Sequence, residues 1–393
     1  MKFFKYILVN LLIYPQIFFL NLSYYISKLF VKKCLQKSWV IGVDEIASNI
    51  YFFQRILKPS VNVCLEKNKK YKWDYDYSIN LNNIYCRYLF RLIYAPILLG
   101  YLTSRHSHFW YVWNSGFLID RKYEFKFLKS KNKKIVCMFV GSDIRSPKLS
   151  LEYTRKNNID NFISYYKKEN SKEFLYNEFK AKQTAYIADL YSDLIFSFKF
   201  EQRSYLKKNQ FPWLVPYIKE MFFKNDIKFD ELKKIKIVHA PSNPLVKGTS
   251  LVRAAIKKLE IEGYDFEYLE LQNMSNKAVL EHLKSTHIVL NEFYGFDINL
   301  GLLAIESMAN HTALMMAYNP DAIKHYNIKL EGFDKCLLNT KYWQVYDNLK
   351  YLLDNPDKIK LYADNGYEFA YKHHTEEAIS EYLNKILKEN SII

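Results

Sequence analysis

The run HAPSNPLVKGTS, His239 to Ser250, brings a lysine and a glycine directly ahead of a helical stretch. A helix start offers unpaired backbone amides and positive potential, and Lys247 beside it adds a full charge; together these suit a diphosphate. The full P-loop pattern is absent, and a Lys-Gly pair before a helix also occurs as an ordinary turn. Some fifty residues later, GLLAIESMA opens a helix at Gly301 and carries Glu306 near its apolar side. A carboxylate there can accept two hydrogen bonds from a ribose while the amides at Gly301 face phosphate; the plain alternative is a buried or capping glutamate. Gly141-Ser142-Asp143 follows a strand-like run, where Gly141 gives close backbone access to a sugar or acceptor and Arg145 adds a cation; the alternative is a strand-ending turn with a helix cap. His106 and His108 read as loop residues ahead of a strand, and neither they nor His239, His373 and His374 form a metal spacing or a nucleophile arrangement. Asp74-Tyr75-Asp76 has the spacing of a metal-binding carboxylate pair, but its charged, tyrosine-rich surroundings assign it to the surface.

The elements that must position these residues alternate short apolar runs with helical patterns, the signature of parallel βαβ construction. Strands are predicted at Trp39–Val43, Phe109–Trp113, Lys134–Val140 and Leu194–Phe198, and in a second series at Ile235–His239, Asp265–Leu271, His287–Leu290 and Thr312–Ala317. Thr249 to Glu262 sets Leu251, Val252, Ala255, Ile256 and Leu259 on one face and ends at Gly263, which predicts an amphipathic helix starting just after Lys247-Gly248. The charged stretch Lys224 to Lys234 separates the two series and reads as a linker.

At 393 residues the chain suits two domains, and 49% hydrophobic with 25% charged residues is a globular composition. Lys plus Arg exceed Asp plus Glu by 57 to 41, so the net charge of +16 favours an anionic partner; no nucleic-acid-binding module or clustered basic-aromatic motif occurs, which argues against nucleic acid. Cys34, Cys64, Cys86, Cys137 and Cys336 are widely spaced with no Cys-x-x-Cys pair, a pattern that fits a reducing cytoplasm. From Tyr6 to Ser27 there are 22 residues without a charge, flanked by Lys2, Lys5, Lys28, Lys32 and Lys33. That length can span a bilayer, yet Pro15, Gln16, Asn10 and Asn21 interrupt it, so the segment reads as membrane-associating, either crossing or lying amphipathically on an anionic surface.

In order and separation, KKIVCMFVGSDIR (Lys133 to Arg145), IVHAPSNPLVKGTSLVRAAIKKL (Ile237 to Leu259), GLLAIESMA and the stretch Leu352 to Leu383 resemble the group 1, or family 4, glycosyltransferases. The resemblance runs from about Trp39 to the end. It implies two Rossmann-like domains facing across a cleft: an acceptor domain at 36–223, a nucleotide-sugar domain at 235–372, and a closing helix at 373–393 packed back toward the first; the membrane segment 1–35, read from its own uncharged run, precedes them. It further implies sugar transfer from a nucleoside diphosphate to a glycan hydroxyl, with retained anomeric configuration, no metal and no cofactor beyond the donor. Lys247 and Gly248 would then meet the diphosphate, Gly301 and Leu302 would supply amides, Glu306 would hold the ribose, and Gly141, Ser142 and Asp143 would face the cleft. Two positions depart from the pattern. The paired-glutamate position eight residues before Glu306 is Ile298, so Asp297 or Glu292 is expected to supply the carboxylate, and a frequent arginine five residues before the lysine is Ser242. A lipid-linked acceptor in surface-polysaccharide assembly, met at the cytoplasmic face of the plasma membrane, completes the expectation; a sugar-nucleotide epimerase or a silent membrane scaffold are the rivals.

Overall fold

The computed structural model describes residues 2–31, 35–65, 73–79, 83–160, 169–230, 234–295, 297–326 and 328–393. Lys32, Lys33 and Cys34, and 231–233 of the expected linker, lie outside them, as do the side chains of Lys2, Lys5, Tyr6 and Asn10. The chain builds two parallel sheets. The first contains β1 (Leu35–Val43), β2 (Ser60–Cys64), β3 (Tyr77–Ser78), β4 (His106–Val112), β5 (Lys134–Met138) and β6 (Leu194–Phe196), in the order β3-β2-β1-β4-β5-β6. The second contains β7 (Ile235–His239), β8 (Phe266–Glu270), β9 (Ile288–Leu290), β10 (Ala313–Met316) and β11 (Leu338–Asn339), in the order β11-β10-β9-β7-β8. Both are doubly wound orders. Each has a switch point, between β1 and β4 and between β7 and β9, where neighbouring crossovers leave in opposite directions and open a crevice at the carboxyl ends of the strands.

All eight predicted strands form; central strands largely buried on both faces, such as β4, β5, β7 and β10, read as continuous apolar runs, whereas β8 is a half-buried edge strand. The three that the periodicity does not single out, β2, β3 and β11, lie at or next to the sheet edges, and β3 and β11 are only two residues long. Asp76 belongs to this edge rather than to any metal pair: its carboxylate accepts from Gln54 Nε2 (3.0 Å) and from the Asn62 amide (2.8 Å), tying β3 to β2. His106 and His108 are corrected by the structure. They are buried within β4 rather than loop residues, because the strand begins at His106. The expected linker runs between the two sheets, and its described part packs on the second: Lys228 sits in the short helix Ile227–Asp230 and drives its ammonium inward, donating to Thr286 O (2.7 Å) and Asn310 O (3.1 Å), with burial lowering its pKa to about 7.

Ahead of β1, the helix α1 (Lys2–Phe30) packs on α3 (Ile84–Arg105), while α2 (Asn49–Ile56) covers the other side near the domain boundary. Gly100 on α3 permits the close approach, since a Cβ there would meet Leu20 O at 2.5 Å and Tyr24 N at 2.8 Å. Among the described residues, no helix is long and apolar enough to cross a membrane.

Two sets of contacts join the domains. The closing helix Glu376–Glu389 lies on α2, with Glu376 ion-paired to Arg55; His374 Nδ1 donates to Val215 O at 2.8 Å, and Tyr382 donates to Pro212 O at 2.7 Å. On the opposite flank, Asp297 of the second domain reaches the short helix Lys199–Gln202 of the first. Its Oδ2 accepts from the Phe200 and Glu201 amides (2.9 and 3.2 Å) and from Tyr326 Oη (2.8 Å), while Oδ1 accepts from the Ile298 amide. A buried carboxylate is costly unless its lone pairs are filled, and here they are filled from both domains. Asp297→Ala should therefore leave four donors short of an acceptor and cost about 2 to 4 kcal/mol, read as a lower urea midpoint; an unchanged midpoint would deny the clasp this role.

Candidate functional site

A cleft of about 550 Å³ opens between the sheets, and the residues lining it lie just beyond strand ends. Glu45, Ile46 and Ala47 follow β1, and Val140 and Gly141 follow β5; across from them, Ala240 to Ser242 follow β7, Leu271 and Asn273 follow β8, and Asn291 and Glu292 follow β9. Gly301, Leu302 and Glu306 complete the second wall.

Lys247 is placed by its loop. Asn243 Oδ1 accepts from the Leu245 amide (3.1 Å), an Asx turn between two prolines; the Lys247 amide donates to Asn243 O (3.0 Å) and the Thr249 amide to Pro244 O (2.9 Å). Gly248 takes φ +70°, the left-handed conformation that lets the chain turn into the helix Thr249–Ile261. The amides of Lys247, Gly248 and Thr249 are thus occupied within the loop, so the lysine side chain carries this end of the site. His239 anchors the helix start: Leu290 O can only accept, so Nδ1 carries the proton (2.7 Å), and Nε2 accepts from Thr249 Oγ1 (2.8 Å).

Lys247 Nζ lies 2.5 Å from Glu292 Oε2. Of the two candidate carboxylates, Glu292 is therefore the one at the cleft, while Asp297 does not line it and Ile298 is buried in the core. Two alternatives that the sequence leaves open are separated here by tertiary structure alone.

On the first wall, Gly141 lines the cleft but Ser142 and Asp143 do not. The Asp143 carboxylate turns back on its own loop, accepting from the Gly141 amide (2.8 Å) and the Val140 amide (3.2 Å), and burial raises its pKa to about 6. Arg145 lines the cleft and donates from Nη2 to Glu201 Oε1 at 2.9 Å. Glu201 is a lining residue that no sequence signal marks, because the short helix carrying it has no periodicity of its own. Burial pushes its pKa up to about 7, with Glu292 and Asp297 adding to the rise and Arg145 and Lys247 opposing it. Glu45 is similar, raised by burial to about 7 while it accepts from the Ile50 and Tyr51 amides and from Tyr75 Oη.

Gly301 has φ +70° and a Cβ there would meet nothing within 4 Å, so the backbone conformation alone calls for glycine. The helix it opens, Gly301–Ala309, has no side-chain cap, and its first turn borders the cleft through Gly301, Leu302 and Leu303. Glu306, one turn further in, is buried and accepts from Asn276 Nδ2 at 2.7 Å. With that one partner, burial lifts its pKa to about 8. Hydrogen bonds from a diol would favour the ionised form and fill the remaining lone pairs. A separate group, Asp226, His311 and Asp364, lies outside the cleft lining, and Lys360 Nζ already sits 3.1 and 2.9 Å from its two carboxylates.

No protein-family model matches the chain, and no curated protein matches its sequence. Among solved structures, HepE from Anabaena in complex with UDP-glucose superposes over 90% of this chain and 99% of its own, with a TM-score of 0.55 at 9% identity. Sucrose-phosphate synthase from Thermosynechococcus elongatus does so over 90% and 98%, with a TM-score of 0.55 at 10% identity. This is the GT-B fold. At such identities the likeness establishes architecture: in the GT-B arrangement of this chain, the sequence-derived residues Lys247, Gly301, Leu302 and Glu306 share one wall of the interdomain cleft, Gly141 stands on the other, and Gly248, Ser142, Asp143 and Asp297 stand behind them.

The folded-state pKa of Glu306 lies above its unfolded value near 4.5, so its contribution to stability is fully present below that value and lost as pH rises through about 8. Glu306→Gln keeps an acceptor for Asn276 and removes the charge. Between about pH 5 and about pH 8.5 its melting temperature should rise relative to the parent, reaching an advantage of about 2 to 4 kcal/mol; parallel curves in thermal melts across that range would rule this out.

Proposed function

We propose that the protein is a glycosyltransferase that moves a sugar from a nucleoside-diphosphate sugar to a hydroxyl of a glycan acceptor, retaining the anomeric configuration. The observation that carries this reading is the shared wall: a partly exposed lysine, an uncapped helix start and a buried carboxylate, all opening on one cleft at the strand ends of the second domain. Those three groups match, in order, a diphosphate charge, phosphate oxygens and a ribose diol. HepE, whose fold this chain shares, is solved with UDP-glucose; UDP-glucose is accordingly the first donor to test.

Departure of the diphosphate develops negative charge on the leaving oxygen. Lys247 and the amides of the helix starting at Gly301 stabilise it as preorganised charges, without a metal being required for this role. Glu292 holds Lys247 in place before the donor arrives, and the diphosphate must share or take over that ammonium. Gly141 and Arg145 on the facing wall border the space left for sugar and acceptor. The acceptor we propose is lipid-linked, in surface-polysaccharide assembly, and met at the cytoplasmic face of the membrane, where the uncharged stretch Tyr6 to Ser27 and its flanking lysines hold the protein to an anionic surface.

Removing Lys247 takes a charged partner from a partly buried phosphate. Lys247→Ala should cost about 2 to 4 kcal/mol, tens to hundreds of fold in donor turnover, with the melting temperature retained; a folded variant of near-parental activity would exclude the assignment. Transfer should also persist in excess EDTA, measured by release of nucleoside diphosphate, whereas full loss restored by magnesium or manganese would require a metal in the mechanism.

A further inference from the structure

The second element of interest lies on the far side of the first domain. The helix α1 turns Ile13, Gln16, Leu20 and Tyr24 inward, where Gln16 Nε2 donates to Leu92 O (3.2 Å) and Ser23 Oγ to Ile97 O (2.7 Å) of α3. Its outer face is nonetheless apolar: Tyr14, Phe18 and Leu22, at helical spacing, are 69%, 63% and 45% exposed. On α3 a matching row, Tyr85, Leu89, Ile93 and Ile97 at intervals of four, is also exposed, with Tyr85 at 81% and Leu89 at 62%. The rows approach each other where Ser23 reaches Ile97.

Isolated exposed leucines need no explanation, but two adjoining rows of large apolar side chains do. The charges on these helices identify the partner. Neither α1 nor α3 contains a single Asp or Glu, while α1 carries Lys2, Lys5 and Lys28, and α3 carries Arg87, Arg91 and Arg105. Of the basic side chains described, Arg91 turns to Asp44 (3.5 Å) and Arg105 lies over Tyr101, whereas Lys28 is exposed beside the α1 row; from a neighbouring helix end, Lys131 reaches over Tyr24 and Tyr25. Apolar rows with tyrosines, on two helices that carry basic and no acidic residues, match the headgroup boundary of an anionic bilayer, where rings and aliphatic chains enter the acyl edge and ammonium groups such as those of Lys28 and Lys131 meet phosphate. A second copy of the chain is a poorer fit, since twofold self-pairing would bring basic margin against basic margin.

We infer that α1 and α3 together form one docking surface for an anionic lipid bilayer, with α1 lying along the membrane rather than through it. This deepens the membrane placement proposed above by adding a second helix, and it is independent of the sugar-transfer chemistry. The test is flotation of the full chain with phosphatidylcholine vesicles, with and without phosphatidylglycerol, comparing Leu89→Asn/Ile93→Asn on α3 with Phe18→Asn/Leu22→Asn on α1. All four positions are exposed or nearly so, and unchanged melting curves will confirm that the variants fold. Expected are binding to the anionic vesicles, weakened by high salt, and a loss of about tenfold in either double variant. If only the α1 variant loses binding, the two-helix surface is wrong while the placement through the N-terminal segment stands. If the parent does not float with anionic vesicles, both fall. If the α3 variant instead breaks a dimer and floats like the parent, the surface belongs to a second copy and the inference is overturned.

Discussion

Of the two places where the halves of this molecule are tied together, the one beside the cleft is a single buried carboxylate. Asp297 leaves the second domain just ahead of the helix Gly301–Ala309 and accepts hydrogen bonds from the backbone of the first domain at Phe200 and Glu201. Burial raises its pKa, so the charge is tolerable only because both oxygens are occupied. The consequence is geometric. The clasp ties the segment leading to Gly301 to the short helix that carries Glu201, and so sets the distance between the walls of the cleft.

Within that frame the cleft holds an electrostatic balance. Arg145 pairs with Glu201 and Lys247 with Glu292, one pair from each domain, and the pKa of Glu201 responds to all the others. A cleft prepared this way presents cations that are already oriented, each held by a carboxylate with which an incoming anion must compete. Burial strengthens the interactions among such groups, so the protonation of Glu201 is a property of this cluster rather than of any one residue.

The first domain divides its labour between faces. Its strand ends border the cleft, while α3, which crosses from β3 to β4, packs against α1 on the side away from it. Gly100 matters here because the two backbones nearly touch, and a side chain at that position would force α1 outward. The apolar rows on these helices are therefore held at a fixed spacing by the core beneath them.

The parallel strands, the two-domain division, the helix after Lys247-Gly248 and the helix bearing Glu306 were legible from local pattern, because hydrophobic periodicity and glycine placement act over a few residues. The grouping of Lys247, Gly301 and Glu306 came from no local pattern but from the resemblance of their segments, in order and separation, to the group 1 glycosyltransferases. What local pattern could not supply was the direction of each polar side chain once the domains closed. Asp297 and Glu292 are five residues apart and both carboxylic acids, yet one clasps the domains and the other faces the cleft, and Asp143 spends its carboxylate on its own loop while Gly141, two residues before it, lines the site. Glu201 and the α3 row were invisible for the same reason: a residue's exposure to a cleft or a membrane depends on which distant elements cover it, and those contacts exist only in the folded chain.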